Sequence, residues 1–309
     1  MRAEKDVLCV RMFGNFSMEW NGRNLLAGAK ATVSQFACLM QVLIHAGREG
    51  VGREELEQIL FDERDVNDLH HAVRSVVYNA KRKLEKAGLP GRECIGQKEE
   101  GGYYWTGRVS VREDAALFEE LYTKAERETE QEKKLALYQE ACRCYTGEFL
   151  PSQAGTVWVF REAVRYRRLF GACVEKAACL LREKKEFAEM ELLGRYASGI
   201  QPLSDWEIVT MEALAGLGQY KKARKLYEDT VDIYFREQGL RPSKKLTETF
   251  RKLGMKMEFQ HGILNEIKQE LAEGENFAWG GGIFVLILYL KASTERSGVL
   301  RSGRAVRSV

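Results

Sequence analysis

Leu69-His-His-Ala-Val-Arg-Ser-Val-Val-Tyr-Asn-Ala-Lys-Arg-Lys-Leu84 is the stretch on which the fold turns. At about 100° per residue, Leu69, Val73, Val76, Ala80 and Leu84 form one apolar stripe, with Val77 at its edge. The opposite side collects Asn67, His71, Arg74, Ser75, Tyr78 and Arg82. This two-sided pattern predicts a helix over about residues 66–87, stopped by Gly88-Leu-Pro-Gly91. Its polar side carries hydrogen-bond donors, cations and an aromatic, the groups that read base edges and hold phosphates. Lys81, Arg82 and Lys83 would lie against phosphates and also complement the helix dipole. Any solvated helix has a polar side too, so the neighbouring segments decide.

Two shorter helical patterns precede it. Phe36, Leu39, Met40, Leu43 and Ile44 share one face of a helix starting near Thr32 and ended by Gly47. Leu56, Ile59 and Leu60 mark a second that starts at Gly50–Gly52. Before these, Val7, Cys9–Phe13 and Phe16–Trp20 read as short strands, Asn21-Gly22 as a hairpin turn, and Asn24–Leu26 as a further strand. After the long helix, Glu93–Gly96 and Tyr103–Thr106 flank a polar, Gly-rich tip. Strands, three helices and a hairpin make a winged helix-turn-helix domain (α+β) over residues 1–108.

The rest reads as helix only. From Val111 to about Gly274 there is no strand signal, and amphipathic helices break at Thr146-Gly147, Gly199–Ser204, Gly216–Gly218 and Gly239–Ser243. In Ala213-Leu-Ala-Gly-Leu-Gly-Gln-Tyr220-Lys-Lys-Ala223, small residues let two helices cross around a short turn, a spacing used by tetratricopeptide-like pairs. A plain helical bundle is the other reading. Tyr220, Tyr227 and Tyr234 recur every seven residues, as core or as a protein contact. The fold class expected is therefore mostly α: the winged helix, then an all-α tetratricopeptide-like repeat domain over residues 111–260. Residues 261–309 form a linker and an atypical Gly-, Arg- and Ser-rich tail, either a true end or a further module cut short.

Composition narrows the function. The chain has 309 residues, 45% apolar and 30% charged, enough for real cores. Its net charge of +3 decides little, and residues 1–106 hold equal numbers of basic and acidic side chains. A nucleic-acid binder would need a local patch, and residues 66–92 supply one with six basic side chains against two acids. The seven cysteines are scattered and odd in number, without disulfide or zinc spacing; the nearest pair, Cys142-Arg-Cys144, points to different sides of a helix. His70-His71 lacks a third ligand, so a surface position beside DNA fits better than a metal. No metal and no cofactor is expected. There is no Gly-rich phosphate loop and no nucleophile–base motif, so no catalytic residue is assigned and no enzyme is expected. No acidic phosphorylation pocket of a receiver domain is present either. The N-terminus has no apolar signal core, and the strongest apolar run, Ile283–Leu290, is far short of the roughly 18–20 residues of a membrane helix. A cytoplasmic protein without membrane contact is the expectation.

The same residues resemble a known family. The segment ending Ala80-Lys81-Arg82-Lys83-Leu84 resembles the recognition helix of OmpR/PhoB-type winged helices, where a run ending LRxxL is typical. Ile95 through Gly101-Gly-Tyr103-Tyr104-Trp105 resembles their wing. Further on, Asp114 and Phe118, Tyr145-Thr-Gly147-Glu-Phe-Leu150, Trp158 with Arg161, Gln201-Pro202-Leu203 and Gly239-Leu-Arg-Pro242-Ser243 follow in the order of the bacterial transcriptional activator domain. Together, over roughly residues 5–258, the chain resembles the AfsR/SARP-like regulators. That resemblance implies a transcription activator that binds promoter repeats in double-stranded DNA and recruits RNA polymerase, with self-association a further expectation. The outer face of the helix and the wing carry over, giving Asn67, His71, Arg74, Ser75, Tyr78, Asn79, Lys81, Arg82 and Lys98 as candidate DNA contacts. Two features depart from the family. Tyr78-Asn79 stands where a basic pair is common, and the wing tip Gln97-Lys98-Glu99-Glu100 carries two acids. The alternative is a helical interaction scaffold whose N-terminal domain has lost DNA binding.

Overall fold

A computed structural model describes residues 6–26, 34–61, 68–239 and 241–254. Strand β1 (Val7–Arg11) alternates, with Leu8 and Val10 inward and Cys9 and Arg11 outward. β2 (Ser17–Trp20) does the same with Met18 and Trp20. The predicted turn joins β2 to the short β3 (Arg23–Asn24), with Asn21 at φ 47° and Gly22 at φ 78°. That positive-φ pair is why Asn-Gly serves there.

The helices follow as expected, with sharper ends. α1 (Gln35–Ala46) starts at Ser34, whose hydroxyl accepts the Ala37 N–H at 3.2 Å. α2 spans Arg53–Phe61 and α3 spans Leu69–Lys86. Asp68 caps α3 by accepting the His71 N–H at 2.9 Å. A short helix, α4 (Gly91–Cys94), occupies ground read as strand. β4 (Ile95–Gln97) and β5 (Tyr103–Trp105) then form the antiparallel hairpin. The wing is tied back to the helices: Val51 N–H donates to Tyr103 O at 2.8 Å and Tyr103 N–H to Val51 O at 3.0 Å. Gly50, at φ 63°, makes this approach possible, since a Cβ there would lie 2.5 Å from the Tyr103 oxygen.

One strand overturns the all-helical reading after Val111. β6 (Ser110–Glu113) pairs parallel to β1, with Leu8 opposite Val111, completing a sheet of order β3-β2-β1-β6. Four residues, three of them polar, are too short and too polar to announce a strand. Then α5 (Asp114–Arg127), α6 (Gln131–Cys144), α7 (Val157–Glu183) and α8 (Phe187–Ile200) stack each on the next. α9 (Glu207–Gly216), α10 (Tyr220–Ile233), a π-helical turn at Tyr234–Gln238 and α11 (Lys244–Lys252) complete the described chain. Three of the four expected breaks fall between helices, and the fourth follows the π-helical turn. The architecture is that of the predicted class, mostly α with a small N-terminal winged region.

By packing, the described residues up to Val209 form one compact unit and those from Thr210 on another. In the second unit Tyr227 stacks on Phe250 with centroids 4.0 Å apart, and its hydroxyl lies 3.3 Å from Thr247 Oγ1. Tyr227 and Tyr234 are core, and Tyr220 is exposed.

In the first unit the sheet runs on into the helices. Phe13 and Phe149 form an antiparallel bridge, flanked by Leu150 N–H to Met12 O at 2.9 Å and Gly14 N–H to Glu148 O at 2.8 Å. The Phe13 ring is 1% exposed and meets Phe118, Tyr145, Phe149 and Tyr166, edge-on or tilted, at 4.7 to 6.3 Å. Asp114, at the head of α5, accepts the N–H groups of Met12 (2.7 Å) and Phe13 (3.1 Å). Burial pushes its carboxyl up to about 6, against the backbone donors that favour the ionised form.

His45, in the last turn of α1, adds an ionic link. Its Nδ1 lies 2.7 Å from the buried Glu113 and its Nε2 3.5 Å from Glu162 on α7. Burial alone would lower its pKa, but the two carboxylates hold it up at about 9, so it is a cation at neutral pH. Arg165 continues the network to Glu162 and Glu119, both at 2.6 Å. Sequence reading placed His45 in a helix and assigned it nothing; both its acids come from distant segments.

Candidate nucleic-acid interface

The candidate surface is built on α3. Val73, Val77, Ala80 and Leu84 are buried on it, and α1 and α2 both pack against it. The stripe is centred one position later than the sequence suggested: Val77 is 4% exposed and Val76 only half-buried. Periodicity gives the angle of the apolar arc, but the neighbours decide its centre.

Burying that stripe turns the other side outward. His71, Arg74, Ser75, Tyr78, Asn79 and Arg82 are all exposed, and Lys81 is half-buried at the margin. Arg82 lies one turn beyond Tyr78, its guanidinium carbon 5.9 Å from the ring centroid. Asn67 lies outside the described residues. Lys98 sits in the wing turn, which closes through Lys98 N–H to Gly102 O at 2.8 Å and Gly101 N–H to Lys98 O at 3.0 Å. Its side chain is half-buried, whereas Glu99 and Glu100 stand exposed at the tip.

Two features were missed from sequence. Lys83, grouped above with the phosphate-facing cations, turns back onto α1, its Nζ 4.1 Å from the Phe36 ring centroid. Burial lowers its pKa, and the ring face offers an electrostatic partner in place of water. Glu85, one of the two acids counted in the patch, was not placed on a face. It brings an acid to the exposed side of α3, where Arg92 pairs with it at 3.2 Å. Arg108 pairs in turn with Glu93 at 2.8 Å. The basic patch of residues 66–92 is thus partly used inside the protein. Arg82 and Lys86 remain as its exposed C-terminal cations, with Lys81 at the margin and Arg74 further up the helix.

All seven cysteines are free thiols, and Cys142 and Cys173 hydrogen-bond to each other in the core between α6 and α7. Among the described residues no three His, Cys, Asp or Glu side chains gather as a metal site. Among the same residues no helix is long and apolar enough to cross a membrane.

Residues 113–253 match the family profile described as the bacterial transcriptional activator domain. No curated protein sequence resembles the chain closely enough to count as a relative. Among solved structures, Mycobacterium tuberculosis EmbR in complex with a low affinity phosphopeptide superposes with a TM-score of 0.59 at 14% identity, covering 90% of this chain and 73% of that one. At that identity the likeness is one of fold. A winged region thus stands ahead of a bacterial transcriptional activator domain, the domain order that the resemblance to the SARP-like regulators led us to expect.

Proposed function

We propose that the chain binds double-stranded DNA through the outer face of α3 and its wing, and acts as an activator at promoter repeats. The observation that carries this reading is the sidedness of α3. A continuous set of donors, Arg74, Ser75, His71 and Arg82, is left exposed on a helix that α1 and α2 hold from behind. On this reading Asn79, Lys81 and Lys98 lie at the margins of the contact, and Asn67 stays a candidate from sequence alone. The helical region, residues 111–260, would contact RNA polymerase or a second copy, with Tyr220 an exposed aromatic suited to such a contact. The protein would work in the cytoplasm by binding and not by catalysis.

Salt dependence tests the reading. If the full chain neutralises a handful of phosphates, log Kd against log salt should have a magnitude of slope of about 4 to 6. No binding at low salt would overturn the DNA assignment. It would favour the scaffold reading, for which the balanced charge of residues 1–106 and the exposed Glu99 and Glu100 speak.

A single side chain gives a second test. Arg74 is exposed, so Arg74→Ala should leave the thermal melt unchanged. It should weaken binding to a selected duplex by roughly 1–3 kcal/mol if the guanidinium makes a bidentate base contact. Unaltered affinity would remove Arg74 from the contact.

A further inference from the structure

Tyr78 is the one large apolar side chain exposed among the described residues of 1–108, with 60% of its surface open. Its surroundings are polar. His71, Arg74 and Ser75 lie one to two turns before it, Asn79 beside it and Arg82 one turn after. A protein-binding hot spot sits in a well-packed pocket from which water is excluded. This ring stands alone among donors and cations. The Arg82 guanidinium carbon lies 5.9 Å from the ring centroid, within cation–π reach.

A major groove presents donors and acceptors from every base pair, but only one apolar group, the C5-methyl of thymine. The polar residues around Tyr78 suit the former, and its ring face suits the latter. We infer that Tyr78 is a specificity-determining residue whose ring packs on a thymine methyl, so that the recognised site carries a T·A pair opposite the middle of α3. The inference rests on the DNA-binding reading above.

The test uses the full chain and a pool of random-sequence duplexes. The chain selects its preferred duplex, which is then made again with deoxyuridine replacing thymine at one position at a time. That exchange removes one methyl and leaves base pairing intact. One position should lose affinity about fourfold, the value of one buried methylene-sized group. Tyr78→Phe should keep that discrimination, and Tyr78→Ala should bring it to about one at that position only. The circular dichroism of both variants should match the parent, because the side chain is on the surface. If every deoxyuridine duplex binds as the parent does, or Tyr78→Ala still discriminates, the inference is overturned while the DNA reading stands. A chain that selects no duplex at all overturns both.

Discussion

Phe13→Ala should lower the stability of the first unit by about 3–5 kcal/mol, the usual cost of emptying a fully buried phenylalanine site. The reason lies in where the ring sits. It comes from the end of β1 and is enclosed by Phe118, Tyr145, Phe149 and Tyr166, all in the helical part. Four of the five tryptophans, Trp20, Trp105, Trp158 and Trp206, fall in residues 1–209, so urea unfolding followed by fluorescence reports this unit. Phe160→Ala, at a position 63% exposed on α7, serves as the control and should stay within about 0.5 kcal/mol. A chain ended at Arg108 should show no cooperative transition. It lacks β6, the Asp114 carboxylate that accepts the Met12 and Phe13 N–H groups, and every partner of the Phe13 ring. A cost under 1 kcal/mol for Phe13→Ala would mean that this cluster does not join the two parts.

Val77→Asp should unfold the winged region outright and abolish any DNA binding with it. Val77 is 4% exposed among Val73, Ala80 and Leu84, and a carboxylate there would be charged without a partner. Val76→Asp, at a half-buried position, should cost clearly less and leave the chain folded. The comparison is made by thermal melting of both variants. Equal melts would mean that the stripe is centred between the two valines.

How much of this could be read from sequence varies with the range of the forces involved. The helix at 69–86, the Asn21-Gly22 turn and the wing strands rest on local chemistry, and each lies within a few residues of its expected place. β6 exists because β1, more than a hundred residues earlier, offers it an edge. The Phe13–Phe149 bridge and the His45 ion cluster depend likewise on partners far along the chain. The boundary near residue 110 reflects a change of periodicity, from alternating strands to helices. That change is real, yet packing crosses it. For the candidate surface, the exposed set on α3 followed from helix angle alone. The inward turn of Lys83 did not, because it depends on Phe36 in another helix.

On the DNA-binding reading, the bridge at Phe13–Phe149 also bears on promoter geometry. A reader tethered by a loop at residue 109 could sit on its site while its helices swung freely about the duplex. A reader whose sheet continues into α5–α8 cannot. On the DNA-binding reading, whatever those helices hold is set at a fixed rotation around the DNA axis. Moving the site by half a helical turn, about 5 base pairs, would carry that partner to the opposite side of the duplex. The chain would then act as a ruler in phase as well as in distance.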